Sequence, residues 1–95
     1  MFIINLTYKA ELDVVESFLK QHIDFLDEQY ARGNFLASGR KVPRTGGVIL
    51  SNIASQAALE QIIAQDPFKQ NDVADYELIE FIPTKTSSQL AFLMP

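Results

Sequence analysis

FIINLTYKAELDVVESFLKQHIDFLDEQYAR, residues 2–32, changes its hydrophobic period once, and that change decides the fold. Phe2, Ile4, Leu6 and Tyr8 alternate against Ile3, Asn5 and Thr7, the two-residue period of a half-buried strand. From Leu12 the apolar positions recur at steps of three and four. Val15, Phe18, Leu19, His22, Phe25, Leu26, Gln29 and Tyr30 then form one stripe, so the spacing predicts a single helix to about Arg32, with Gly33 as its left-handed stop.

Working outward, NFLASGRKV has strand character, PRTGG reverses the chain, and VILSNI is an apolar, β-branched run, so residues 34–53 predict a hairpin. Ser55 suits the N-cap of a second helix whose stripe is Leu59, Ile62 and Ile63, and Pro67 is expected to end it at Asp66. YELIEFIP alternates again and stops at Pro83. The order is strand, helix, strand, strand, helix, strand: an α+β, ferredoxin-like βαββαβ unit with a four-stranded antiparallel sheet and two helices on one face. The other face keeps apolar side chains, with Ile3, Ile49, Ile79 and Phe81 as candidates, and a bare apolar sheet usually finds a partner. A homodimer packed sheet to sheet, or a higher oligomer, is expected.

A chain of 95 residues has room for one domain, here residues 1–83, followed by a tail, 84–95. The tail turns from polar to apolar, with Leu90, Phe92, Leu93 and Met94 near its end, and either frays or packs on a neighbouring subunit. The hydrophobic fraction of 47% with 21% charged residues fits an ordinary globular protein. No cysteine and a single histidine argue against disulfides, thiolate chemistry and a protein-held zinc, so neither metal nor cofactor is expected. No leader-like or membrane-spanning stretch stands out, which makes a cytoplasmic location the default expectation. A net charge of −4 argues against nucleic acid as a partner. Even so, Arg32, Arg40, Lys41 and Arg44 crowd one region: either a solvated hairpin or a positive rim for a small anionic ligand.

His22 belongs to the buried stripe of the first helix, and Asp66 lies four and three residues after Ile62 and Ile63, on the stripe of the second. Both should face the sheet. A carboxylate among apolar groups is costly without a partner, and an imidazole serves: one ring nitrogen donates to it while the other faces a cavity, the wiring of a general base. The plain alternatives are a core histidine and an Asp that only ends a helix. Ser38 and Gly39 add a hydroxyl and an uncovered backbone that a ligand could approach, and Tyr8 and Tyr76 are core or rim residues within reach of a pocket.

His22, the Gly33 stop, Ala37-Ser38-Gly39, the tripeptide Asp66-Pro67-Phe68 and the following YELIEF together resemble the YCII-related (YciI-like) family over residues 1 to about 83. The resemblance implies a dimeric α+β barrel similar to muconolactone isomerase, with a His and Asp pair in a pocket mapping to His22 and Asp66. It also implies small-molecule chemistry of the kind linked to breakdown of hydroxylated and chlorinated aromatics. Many relatives carry Pro where this chain has Arg40, which changes the charge at the pocket mouth.

Two functions are therefore expected in competition. In one, a cofactor-free lyase or isomerase uses His22 and Asp66 as general acid and base on a small hydroxylated aromatic or lactone-like substrate, with Ser38, Gly39, Arg40 and Arg44 binding it. In the other, the same pocket is a noncatalytic small-ligand-binding or interaction module. Cavity shape around His22 and turnover separate them.

Overall fold

The computed structural model describes residues 1–95. Strand β1, Phe2–Tyr8, buries Phe2, Ile4 and Leu6 on one side, as its alternation requires. The predicted first helix forms as two pieces, α1 (Leu12–Ser17) and α2 (Leu19–Ala31), interrupted at Phe18, whose φ of −106° and ψ of 1° leave the helical region. The Phe18 N–H turns back to the Val15 carbonyl at 3.1 Å while the Phe18 carbonyl still accepts from His22 N–H at 3.0 Å. One tight turn is thus inserted without losing the stripe: Val15, His22, Phe25 and Gln29 are all buried, whereas Leu12 and Tyr30 at its ends are exposed. Gly33 closes α2 at a φ of +76°, where a side chain would be strained.

Strands β2 (Phe35–Arg40) and β3 (Gly46–Ser51) form the hairpin, and α3 (Gln56–Ile63) starts with the Ser55 hydroxyl accepting from Ala58 N–H at 3.2 Å. The expectation that this helix runs to Asp66 is corrected. It stops at Ile63, and Asp66 instead caps a separate one-turn helix, α4 (Pro67–Gln70). Pro67 therefore begins a helix rather than ending one, because the first helical position has no N–H bond to lose.

Strand β4 (Ala74–Glu80) completes a sheet of order β2-β3-β1-β4, antiparallel throughout, the ferredoxin-like arrangement. The core lies between this sheet and the helices, where Phe2, Ile4, Leu6, Phe25, Phe35, Leu59, Ile63 and Phe68 pack together. Ile49 belongs there too, against the expectation that it lines the opposite face. It pairs with Ile4, and β3 keeps that register, so Val48 and Leu50 face the other way. On that open face Ile3 sits between Leu50 and Ile79, and Asn5 between Val48 and Glu77. Ile79, Phe81 and Ile82 are exposed. Beyond Pro83 the chain ends in a 3₁₀ helix, Ser88–Leu93, that leaves Leu90, Phe92 and Met94 in solvent. No helix is long and apolar enough to cross a membrane.

Candidate functional site

Asp66, Pro67 and Phe68 anchor the site, with Phe68 lining its cavity. Asp66 is fully buried, 0% exposed, and its Oδ1 accepts from Phe68 N–H at 3.0 Å, the capping bond that starts α4. The same oxygen lies 2.7 Å from Nδ1 of His22, presented by α2. The ring of Phe68 stacks on the His22 imidazole, centroids 3.9 Å apart and planes 6° from parallel. One tripeptide thus supplies the carboxylate, the turn that aims it and the surface against which the imidazole lies flat.

The second carboxylate oxygen is held from the sheet. Tyr76, on β4, donates its hydroxyl to Asp66 Oδ2 at 2.6 Å. Burial first, then the charge of Asp66 and this bond, raise the Tyr76 phenol well above its ordinary range, so it remains a donor. Asp66 accordingly accepts three hydrogen bonds, which offsets the cost of burying its carboxylate. The Nδ1 of His22 donates one of them, and no protein group bonds its Nε2.

His22 forms part of the wall of a cavity of about 320 Å³ between α2 and the β2-β3 side of the sheet. Ser38, Gly39, Arg40 and Arg44 line the same space, so all six residues singled out by sequence meet in one place: five on the cavity, with Asp66 directly behind His22. Their surroundings differ. Ser38 Oγ accepts from the Tyr30 hydroxyl at 2.6 Å, leaving its own proton free for a visitor. Arg44 is engaged with Glu16 of α1 at 2.7 Å, and Glu16 and then Tyr8 raise its guanidinium above the usual value. Arg40 makes no side-chain hydrogen bond or ion pair and stands in solvent at the mouth. A Cβ at Gly39 would meet nothing within 4 Å, so packing does not require glycine there.

Spacing gives Tyr76 only as a residue within reach of a pocket, without its bond to Asp66, and gives no role to Tyr30. Tyr76 was legible, since alternation along β4 puts it on the face shared by Ala74 and Leu78, opposite Leu6. Tyr30 sits at the exposed end of its stripe, and nothing in the spacing points to Ser38. No cluster of three or more His, Cys, Asp or Glu side chains has the geometry to hold a metal ion.

The family profile described as YCII-related domain matches residues 1–82. The chain belongs to the YCII-related domain family. No curated protein matches it. Among solved structures, this YCII-related domain is similar to 5-chloro-2-hydroxyhydroquinone dehydrochlorinase (TftG) from Burkholderia phenoliruptrix AC1100, in complex with 2,5-dihydroxybenzoquinone. The TM-score is 0.74 at 15% identity, over 84% of this chain and 91% of that one, a likeness of fold. The family match ends at residue 82, so the tail with Leu90, Phe92 and Met94 lies outside what defines the YCII-related domain.

Proposed function

We propose that the protein is a small-molecule lyase or isomerase in which His22 moves the proton and Asp66 supports it. The observation that carries this reading is the 2.7 Å contact from Nδ1 to the buried Asp66, which leaves Nε2 as the lone pair on the cavity side. Nε2 takes a proton from an O–H or acidified C–H of the substrate. The electrons left behind move onto a substrate oxygen stabilised by the Ser38 hydroxyl and Arg40. They then either expel a leaving group, a lyase outcome, or are reprotonated at another atom by the imidazolium, an isomerase outcome. Asp66 pairs with the charged ring while it exists.

A cavity of about 320 Å³ is at the small end for ligand sites, which suits a one-ring compound. With Arg44 already paired to Glu16, Arg40 is the cation left for an enolate, phenolate or carboxylate. The fold is shared with a dehydrochlorinase whose structure holds a dihydroxylated quinone, which supports a hydroxylated aromatic or lactone-like substrate for this chain. The assembly in this reading is a homodimer with the open sheet face covered by a second copy and the tail packed across the partner.

The test is turnover with purified protein on chlorinated hydroxyhydroquinones, followed by chloride release, and on small lactones, followed by ultraviolet absorbance. His22→Asn should slow the reaction ~10²–10⁴-fold without unfolding the chain. Full activity in that variant would sink the proton-transfer role; binding without turnover across both substrate classes would favour a ligand-binding module.

A further inference from the structure

We propose that Tyr76 is a positioning residue of the His22–Asp66 pair, its hydroxyl fixing the second carboxylate oxygen so that the first stays aimed at Nδ1. The inference rests on the proton-transfer reading for its catalytic meaning and on geometry alone for its structural content. Asp66 reaches the pair from α4, a helix of a single turn, and one turn is a weak anchor. Phe68 N–H and His22 both bond Oδ1. Only Tyr76 holds Oδ2, and it does so from β4, which is paired with the central strand β1 along its whole length. The sheet therefore sets the rotation of the carboxylate about its last side-chain bond, and α4 sets its position.

Without the phenol, Oδ2 is a buried charged oxygen with no donor. Two consequences follow from a fully buried carboxylate. Its charge, no longer shared with the phenol, concentrates on the bond to Nδ1–H, which tightens. The plane of the carboxylate also gains freedom, so the ring it orients does too. The other charged or titratable groups near this cluster come from different elements: Lys69 of α4 lies over the Tyr76 ring at 5.4 Å, Tyr8 of β1 packs edge-on against Phe68, and Arg40 and Arg44 line the cavity in front. None of them makes a hydrogen bond to Asp66, so none replaces the Tyr76 hydroxyl.

A chain with a single histidine makes the test direct, because the ring Nδ1–H proton gives one unambiguous nuclear magnetic resonance signal. That proton reads the strength of the bond to Asp66, and no substrate is needed. In Tyr76→Phe the signal should move downfield as the bond tightens. Placing 3-fluorotyrosine at position 76 alone keeps the shape and makes the phenol a stronger donor, so the signal should move upfield. The opposite signs separate positioning from packing, since a residue that only fills space gives neither. Unchanged signals in both proteins, or shifts of the same sign in both, would overturn the proposal, and if Tyr76→Phe fails to fold, an upfield shift in the fluorotyrosine protein supports it and any other result overturns it. Because the readout is taken on the free protein, it stands whether or not His22→Asn loses turnover. Where turnover is found, Tyr76→Phe should lower kcat with little change in KM, and a rise in KM alone would count against it.

Discussion

Asp66 and Asn5 each bury a side-chain oxygen, on opposite sides of the same sheet, and their surroundings differ completely. Asp66 collects donors from α2, from the backbone of α4 and from β4, so every acceptor position that matters is filled within one chain. Asn5 donates to Glu77 at 3.3 Å, but its Oδ1 is buried with no partner. Around Asp66 stand His22, Phe68 and Tyr76; beside Asn5 stand its pairing neighbours Val48 and Glu77 on the open face. The helix side is finished, and the open side asks for something from outside. A buried polar group without a bond is costly, so a structure that leaves one tends to complete it elsewhere.

The largest effect strikes both sides at once and serves as the reference for the rest. Gly46 pairs with Thr7 at the end of the β1-β3 ladder, and a Cβ there would overlap the backbone carbonyl of Leu6. Backbone cannot step aside as a flexible side chain can. Gly46→Ala should cost about 4 kcal/mol or more and leave little folded protein, as measured by circular dichroism and denaturant unfolding. A variant as stable as the parent would mean that the ladder bends there freely.

Next comes the finished side. Asp66→Ala removes the acceptor for three donors together, leaving a buried phenol, a buried N–H and an imidazole without partners, and should destabilise by about 3–5 kcal/mol in urea unfolding. Asp66→Asn keeps an oxygen and the cap and should cost less. If both changes fell within about 0.5 kcal/mol, the pair would be no more than a surface contact in energy.

Alkaline pH isolates one member of that cluster. The Tyr76 phenol is raised in the folded state above its ordinary value of 10.0, so above that pH the unfolded chain loses a proton that the folded chain keeps. Folding then binds a proton, and stability falls as pH rises. The contribution is intact below pH 10.0 and is lost above it at up to about 1.4 kcal/mol per pH unit. Tyr76→Phe should remove this slope from stability measured between pH 9 and 11.5. An unchanged slope would assign it to other groups.

How much of this contrast was legible in the sequence depends on which period governs each residue. The switch from alternation to three-and-four spacing gave the order of elements and placed His22 inward, because both are properties of one segment at a time. The break at Phe18 was hidden because an inserted tight turn preserves the stripe it interrupts. Asp66 reads from spacing as the last residue of a helix, although Asp followed by Pro equally signals an N-cap and first helical position; either reading turns it inward, so the pair is legible even from the wrong helix. Ile49 has no face legible in the sequence because Val48, Ile49 and Leu50 are consecutive apolar residues, and only its pairing with Ile4 shows which of them point where. Tyr30 bonding Ser38 joins a helix end to an edge strand, a distance that local spacing does not contain.

The smallest effect is the sharpest test of the open face, because its sign depends on what covers it. Ile79 is 45% exposed, so Ile79→Lys should leave the single chain folded, with stability changed by less than about 1 kcal/mol, while placing like charges face to face in a sheet-to-sheet dimer. Its mass in sedimentation should drop to that of one chain. In that separated background Asn5→Leu removes an unpartnered buried oxygen at the cost of one exposed 3.3 Å bond to Glu77, and should raise stability by about 1 kcal/mol. In the proposed dimer a second copy supplies the donor that Oδ1 lacks, so in the parent chain the same substitution should lower stability instead, and more so at higher protein concentration. A gain in both backgrounds would mean that Asn5 stays unpaired in the assembly too, and the open face would then be covered by something other than its own copy.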